Sequence, residues 1–73
     1  MTPQDWEDMA ILQDAAINIA KYLKEVTTNG IHCFSDNTDG IKECGSKLIR
    51  IAFLTNKLYN GESLTEDDKD EGL

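Results

Sequence analysis

Only two cysteines, Cys33 and Cys44, occur in the 73 residues. That is too few for a disulfide scaffold and short of the four ligands of a structural zinc site. Histidine occurs once, at His32, so no Ser-His-Asp constellation is credible around it. Apolar residues nowhere run on for the roughly 18 positions that a membrane span requires. The acidic start, MTPQDWEDM, also lacks the apolar stretch of a secretory leader. Bases are scarce, seven Lys and Arg against fourteen Asp and Glu, for a formal charge of −7. Direct nucleic-acid binding needs clustered cations to neutralise phosphates, and it is not expected here. These absences predict a cytoplasmic, non-enzymatic protein with reduced thiols, no cofactor, no metal and no membrane partner.

The acids are unevenly spread. Residues 62–73, ESLTEDDKDEGL, hold six of them and one lysine, a net of −5. The first 61 residues carry the other eight acids and six bases, a net of −2. The expectation is one nearly balanced domain over 1–61 with a mobile acidic tail over 62–73, since such runs are usually solvated.

Two long helices are predicted in the domain. Thr2-Pro3-Gln4-Asp5 is a helix start: Thr2 can cap, Pro3 suits the first helical position, and Asp5 lies near the positive helix end. Helix then runs over about 3–28, until Asn29-Gly30 offers a left-handed stop. Along it Met9, Leu12, Ala16, Ile19, Leu23 and Val26 step alternately by three and four, a heptad seam. A second helix is predicted over about 39–60, ended by Asn60-Gly61. Its seam is Ile41, Cys44, Leu48, Ile51, Thr55 and Leu58. Residues 29–38 read as a loop of turn and capping types, with a short strand at 31–34 as an option that has no partner strand.

Both helices carry more apolar surface than one neighbour can cover. On the first, Ile11, Ala15 and Tyr22 widen the seam on one side, and Trp6, Ala10, Ile17 and Ala20 on the other. At about 100° per residue the apolar arc spans roughly 260°. The polar strip left over is Glu7, Asp14, Asn18, Lys21 and Glu25. On the second, Gly45, Ala52 and Tyr59 flank the seam, and Ile49, Phe53 and Leu54 lie off it. A helix packed on a single neighbour needs an arc of little more than about 100°. A chain this short also folds marginally alone. The expected architecture is therefore all-α, a helical hairpin that associates through its seams into a four-helix-bundle-type homo-oligomer, most simply a dimer.

Several stretches invite a chemical reading. Gly40 and Gly45 in DGIKECGSK stand at phosphate-loop spacing, but Gly45-Ser46-Lys47 inverts the required G-K-[ST] and no buried strand precedes it. A calcium loop centred on Gly40 would use Ser35, Asn37 and Asp39, yet its last position is Ser46, where a bidentate glutamate is needed. His32, Cys33 and Cys44 are three soft donors without a fourth, and chain neighbours such as His32 and Cys33 usually point apart. Structural cysteines are the expectation. What remains is surface recognition. Lys42, Lys47, Arg50 and Lys57 give the second helix a basic outer face, with Trp6, Tyr22 and Phe53 as aromatic contact candidates.

No family motif is present. In outline the chain is similar to many small, acidic, all-helical accessory proteins of phages and mobile elements, and that resemblance implies an adaptor or inhibitor. The leading expectation is a self-associating protein that occludes a larger protein partner, using Lys47, Arg50, Lys57, Trp6, Tyr22 and Phe53. An oligomeric receptor or sponge for a small anionic ligand such as a nucleotide is the alternative, with donors from the helix starts near Thr38–Gly40 and from Lys47 and Arg50. An antitoxin-like or transcriptional cofactor, reaching nucleic acid only through a basic partner, is a third.

Overall fold

A computed structural model describes residues 1–70, with the backbone alone at Asp70. The chain is all-α: no strand occurs among the described residues. The elements are α1, Pro3–Thr28; α2, Ile31–Asp36; α3, Thr38–Tyr59; and α4, Glu66–Asp70.

Local chemistry sets the ends of α1. The Thr2 hydroxyl accepts from the Asp5 N–H, and the Asp5 carboxylate accepts from the Thr2 N–H, each at 3.1 Å. This reciprocal capping box satisfies two otherwise orphan donors, with Pro3 in the first turn. The Thr2 N–H, helped by the hydroxyls of Ser63 and Thr2, holds the Asp5 carboxyl below its ordinary range. At the other end Asn29 closes the helix, and Gly30 takes φ 98°, a conformation that favours glycine.

The segment expected to be a loop over 29–38 contains α2, which corrects both the loop and the optional strand at 31–34. A strand there would leave its backbone groups without a ladder. A helical turn satisfies them internally: Phe34 N–H donates to Gly30 O at 3.2 Å, and Asn37 N–H donates to Phe34 O at 3.3 Å. Asn37 then joins α2 to α3. Its Nδ2 donates to Cys33 O at 2.7 Å, and its own carbonyl accepts from Ile41 N–H at 2.9 Å.

α1 and α3 pack side by side in opposite senses, Tyr22 late in α1 lying against Gly40 early in α3. The core between them holds Leu12 and Ile19 of α1 with Cys44, Ile51, Leu54 and Leu58 of α3. Leu12, Leu54 and Leu58 are essentially sealed from solvent. Each contributes on the order of 1.5–3 kcal/mol through burial. Val26 is also buried, while Met9, Ala16, Leu23 and Ile41 are half-buried. Leu48 is the seam position left exposed. Most of the seam assigned to self-association is therefore covered inside one chain, and the surface left bare lies elsewhere.

The acidic end behaves differently from a solvated tail over the described residues, and that expectation is corrected for 62–70. Gly61, at φ 86°, reverses the chain in a Schellman turn: Glu62 N–H donates to Lys57 O and Gly61 N–H to Leu58 O, each at 3.0 Å. The turn aims Leu64 back into the core, where it is buried with Leu54 and Leu58. Burial of Leu64 and the ion pairs of Asp68 with Arg50 and Lys57 hold the segment on the helices, while Glu62, Glu66 and Asp67 stay solvated. Residues 71–73 of the predicted tail lie outside the described residues.

Candidate interaction surfaces

Two faces of this helix pair differ sharply in chemistry. On α1, Trp6, Ala10, Gln13, Ile17 and Ala20 step by four and three along a second line, and all five are exposed. On α3 a matching line runs through Gly45, Ile49, Ala52, Asn56 and Tyr59, again all exposed. None of these ten positions is charged, in a chain where 29% of residues are. Trp6 is 62% and Ile49 74% exposed, with Phe53 at the border of the α3 line at 58%. At about 100° per residue both lines sit on the same rotational side of their core seams. Because the helices run in opposite senses, that places the two lines on one side of the pair. The molecule is a rod of 45 × 18 × 17 Å. It exposes 5308 Å2, roughly 800 Å2 more than the ~4,500 Å2 expected of a compact monomer of this mass.

Lys24 and Lys42, the next steps of the two lines, bound this uncharged stretch at one end, and the opposite side carries a cluster of ion pairs. Arg50 and Lys57 are seven apart on α3 and lie roughly 120° around it from the line through Gly45, Ile49 and Ala52. Residues 62–70 form a strap across this side. Its short helix α4 has its own capping box: Asp68 N–H donates to the Thr65 hydroxyl at 3.2 Å, and Thr65 N–H donates to the Asp68 carboxylate at 2.9 Å. The same carboxylate accepts from Lys57 Nζ at 2.7 Å and pairs with Arg50 Nη2 at 3.5 Å. Arg50 Nη2 also donates to the Asp68 carbonyl at 3.4 Å, and its guanidinium lies 5.9 Å from the Phe53 ring centroid. The Lys57 hydrogen bond, and next the Thr65 N–H, pull the Asp68 carboxyl from 3.8 down to about 2. One residue on, Lys69 Nζ reaches the buried Asp8 carboxylate of α1 at 3.5 Å, whose other oxygen accepts from Gln4 Nε2 at 3.0 Å. The strap thus ties α3 to α1.

A cleft of about 330 Å3 opens where late α1 meets early α3, lined by Asn18, Ile19, Tyr22, Gly40, Glu43, Cys44 and Lys47. Its walls are mostly carbon. The Tyr22 hydroxyl donates to Asn37 Oδ1 at 3.3 Å, and a Cβ on Gly40 would overlap that hydroxyl. Lys47 pairs with Glu43 at 3.3 Å on the exposed surface. Cys33 and Cys44 are free thiols, the first half-buried and the second buried, and His32 is exposed. Among the described residues no three His, Cys, Asp or Glu side chains are grouped to hold a metal, and no helix is long and apolar enough to cross a membrane.

The six expected contact residues therefore divide. Trp6 and Phe53 stand exposed, the first on the apolar face and the second at its border. Arg50 and Lys57 hold the strap, Lys47 pairs with Glu43 at the cleft, and Tyr22 braces α2 and α3. Sequence reasoning missed Asp8, Leu64, Thr65 and Asp68. Their signal was legible: Leu64-Thr65-Glu66-Asp67-Asp68 is a leucine followed by a threonine–aspartate capping box. Comparison of the chain with protein-family models, with curated proteins and with solved structures finds no match to any of them.

Proposed function

We propose that this protein is a small, non-enzymatic adaptor or inhibitor: a helical hairpin that pairs with a second copy of itself and occludes a surface of a larger protein. The carrying observation is the uncharged face formed by Trp6, Ala10, Ile17 and Ala20 with Gly45, Ile49, Ala52 and Tyr59, bare on one side of the rod. Ala10, Ala20, Gly45 and Ala52 are small, so two such faces can approach to backbone distance, with Trp6 and Ile49 as large anchors. A four-helix arrangement follows when two hairpins meet face to face. The charged side, with Arg50, Lys57 and the strap, then remains outward for the larger partner.

A receptor for a small anion is less well supported, because Lys47, Arg50 and Lys57 are each engaged by a carboxylate of the same chain. Light scattering on the purified chain at micromolar concentration tests the pairing. Twice the 8.2 kDa chain mass is expected, falling to the single-chain mass in Ile49→Glu. A folded wild-type chain that stays single under those conditions overturns the reading.

A further inference from the structure

The strap is itself a bound segment, and it displays what its binding surface recognises. Leu64 enters the core cluster between α1 and α3, and Asp68, four residues on, is clasped by Lys57 and Arg50. Thr65 and Asp68 fix the helical turn that sets this spacing. Glu66 and Asp67 are exposed and none of these contacts involves them. The recognised pattern is therefore leucine, a capping Thr or Ser, two free positions, aspartate, and a lysine that meets Asp8 of α1.

We propose that this surface is a docking socket for an acidic, leucine-led helical segment of a partner protein, and that residues 62–70 occupy it as a competing segment of the same chain. Charge complementarity carries the choice of occupant. In a chain of net charge −7, Arg50 and Lys57 concentrate positive charge beside an apolar entry, a match for an acidic helix and a poor one for a basic partner, while Asp8 on the α1 wall receives the one lysine of the segment. The strap's hold is also of an exchangeable kind. It is joined to α3 through Gly61 and a stretch without regular structure, Glu62–Thr65, and is anchored by one leucine and ion pairs of partly exposed cations. Such pairs add little each. Being tethered, the strap competes at a high effective concentration, so an outside segment must share its pattern and exceed its contacts.

This names the chemistry of the larger partner and rests on reading the protein as a binder. It does not depend on self-association, which uses the other face. The test is fluorescence anisotropy of a labelled peptide, ESLTEDDKD, titrated with the full-length chain. The Asp68→Asn chain, its strap weakened, is expected to bind the peptide at least tenfold more tightly than wild type. A peptide carrying Asn at the position of Asp68, or a chain with both Asp68→Asn and Lys57→Glu, is expected to lose that binding. Circular dichroism on the same samples reports whether the helices persist. No peptide binding by a helical Asp68→Asn chain overturns the proposal. So does loss of helix in that chain, because the strap is then part of the fold and not a competitor for its surface. A light-scattering result of one chain per particle leaves this outcome unaffected and bears on self-association alone.

Discussion

Two glycines in α3 offer a controlled perturbation, since the same added methyl group meets opposite surroundings. Gly45 is exposed, and a Cβ built on it meets nothing within 4 Å. In a helix interior alanine is better than glycine by about 0.8–1 kcal/mol, because glycine loses more backbone freedom on folding. Gly45→Ala is therefore expected to stabilise the dilute chain by about that amount, and roughly 4–8 °C of Tm follows for a domain of this size. At Gly40 the intrinsic gain is the same, but the methyl overlaps the Tyr22 hydroxyl. The obstacle is the tip of a ring with two torsions, so the helix stays and the ring moves. Moving it breaks the hydrogen bond to Asn37, worth about 0.5–1.5 kcal/mol, and lifts a half-buried ring off the core. The gain is cancelled or reversed, and Gly40→Ala is expected to melt at or below wild type. Thermal unfolding followed by circular dichroism, with both changes made in the Ile49→Glu chain so that the self-association face stays open, separates the two variants by at least about 4 °C. Equal midpoints, or stabilisation by Gly40→Ala, would refute the packing of Tyr22 on Gly40.

Leu64→Ala removes the apolar anchor of the strap and is expected to cost about 2–3 kcal/mol, read as a lower urea midpoint. A change within 0.5 kcal/mol would mean that the leucine is solvated. The Asp68 carboxyl is depressed in the folded chain from 3.8 to about 2. Its contribution is therefore full above about pH 4 and is lost as pH falls through 2. Wild type and Asp68→Asn are expected to differ most in urea stability above pH 4 and to converge between pH 4 and 2. A difference independent of pH would exclude the Lys57–Asp68 contact as its source.

The helices were legible because their signals are local. Thr2, Pro3 and Asp5 announce the start of α1, and Gly30 and Gly61 announce positive-φ stops, all within a few residues of the event. Seam periodicity likewise marked the residues that α1 and α3 turn inward, as Leu12, Ile19, Cys44, Ile51 and Leu58 show. α2 was missed because a six-residue helix is too short for periodicity, and its polar residues read equally as turn formers. The strap was missed for a different reason. By composition it is an acidic run, and composition cannot weigh one leucine against six carboxylates without knowing what the leucine can reach.

The division follows from range. Pattern and capping act over one or two helical turns, so the amino-acid sequence alone determined the all-α class, the ends of α1 and the surplus of apolar residues on both long helices. Which of those residues remain bare depended on tertiary structure. Only packing in opposite senses brings the lines through Trp6 and Ile49 to one side, and only the turn at Gly61 carries Leu64 and Asp68 onto Leu58, Lys57 and Arg50. Contacts between residues distant in sequence are set by geometry in three dimensions, which no short window of the chain contains.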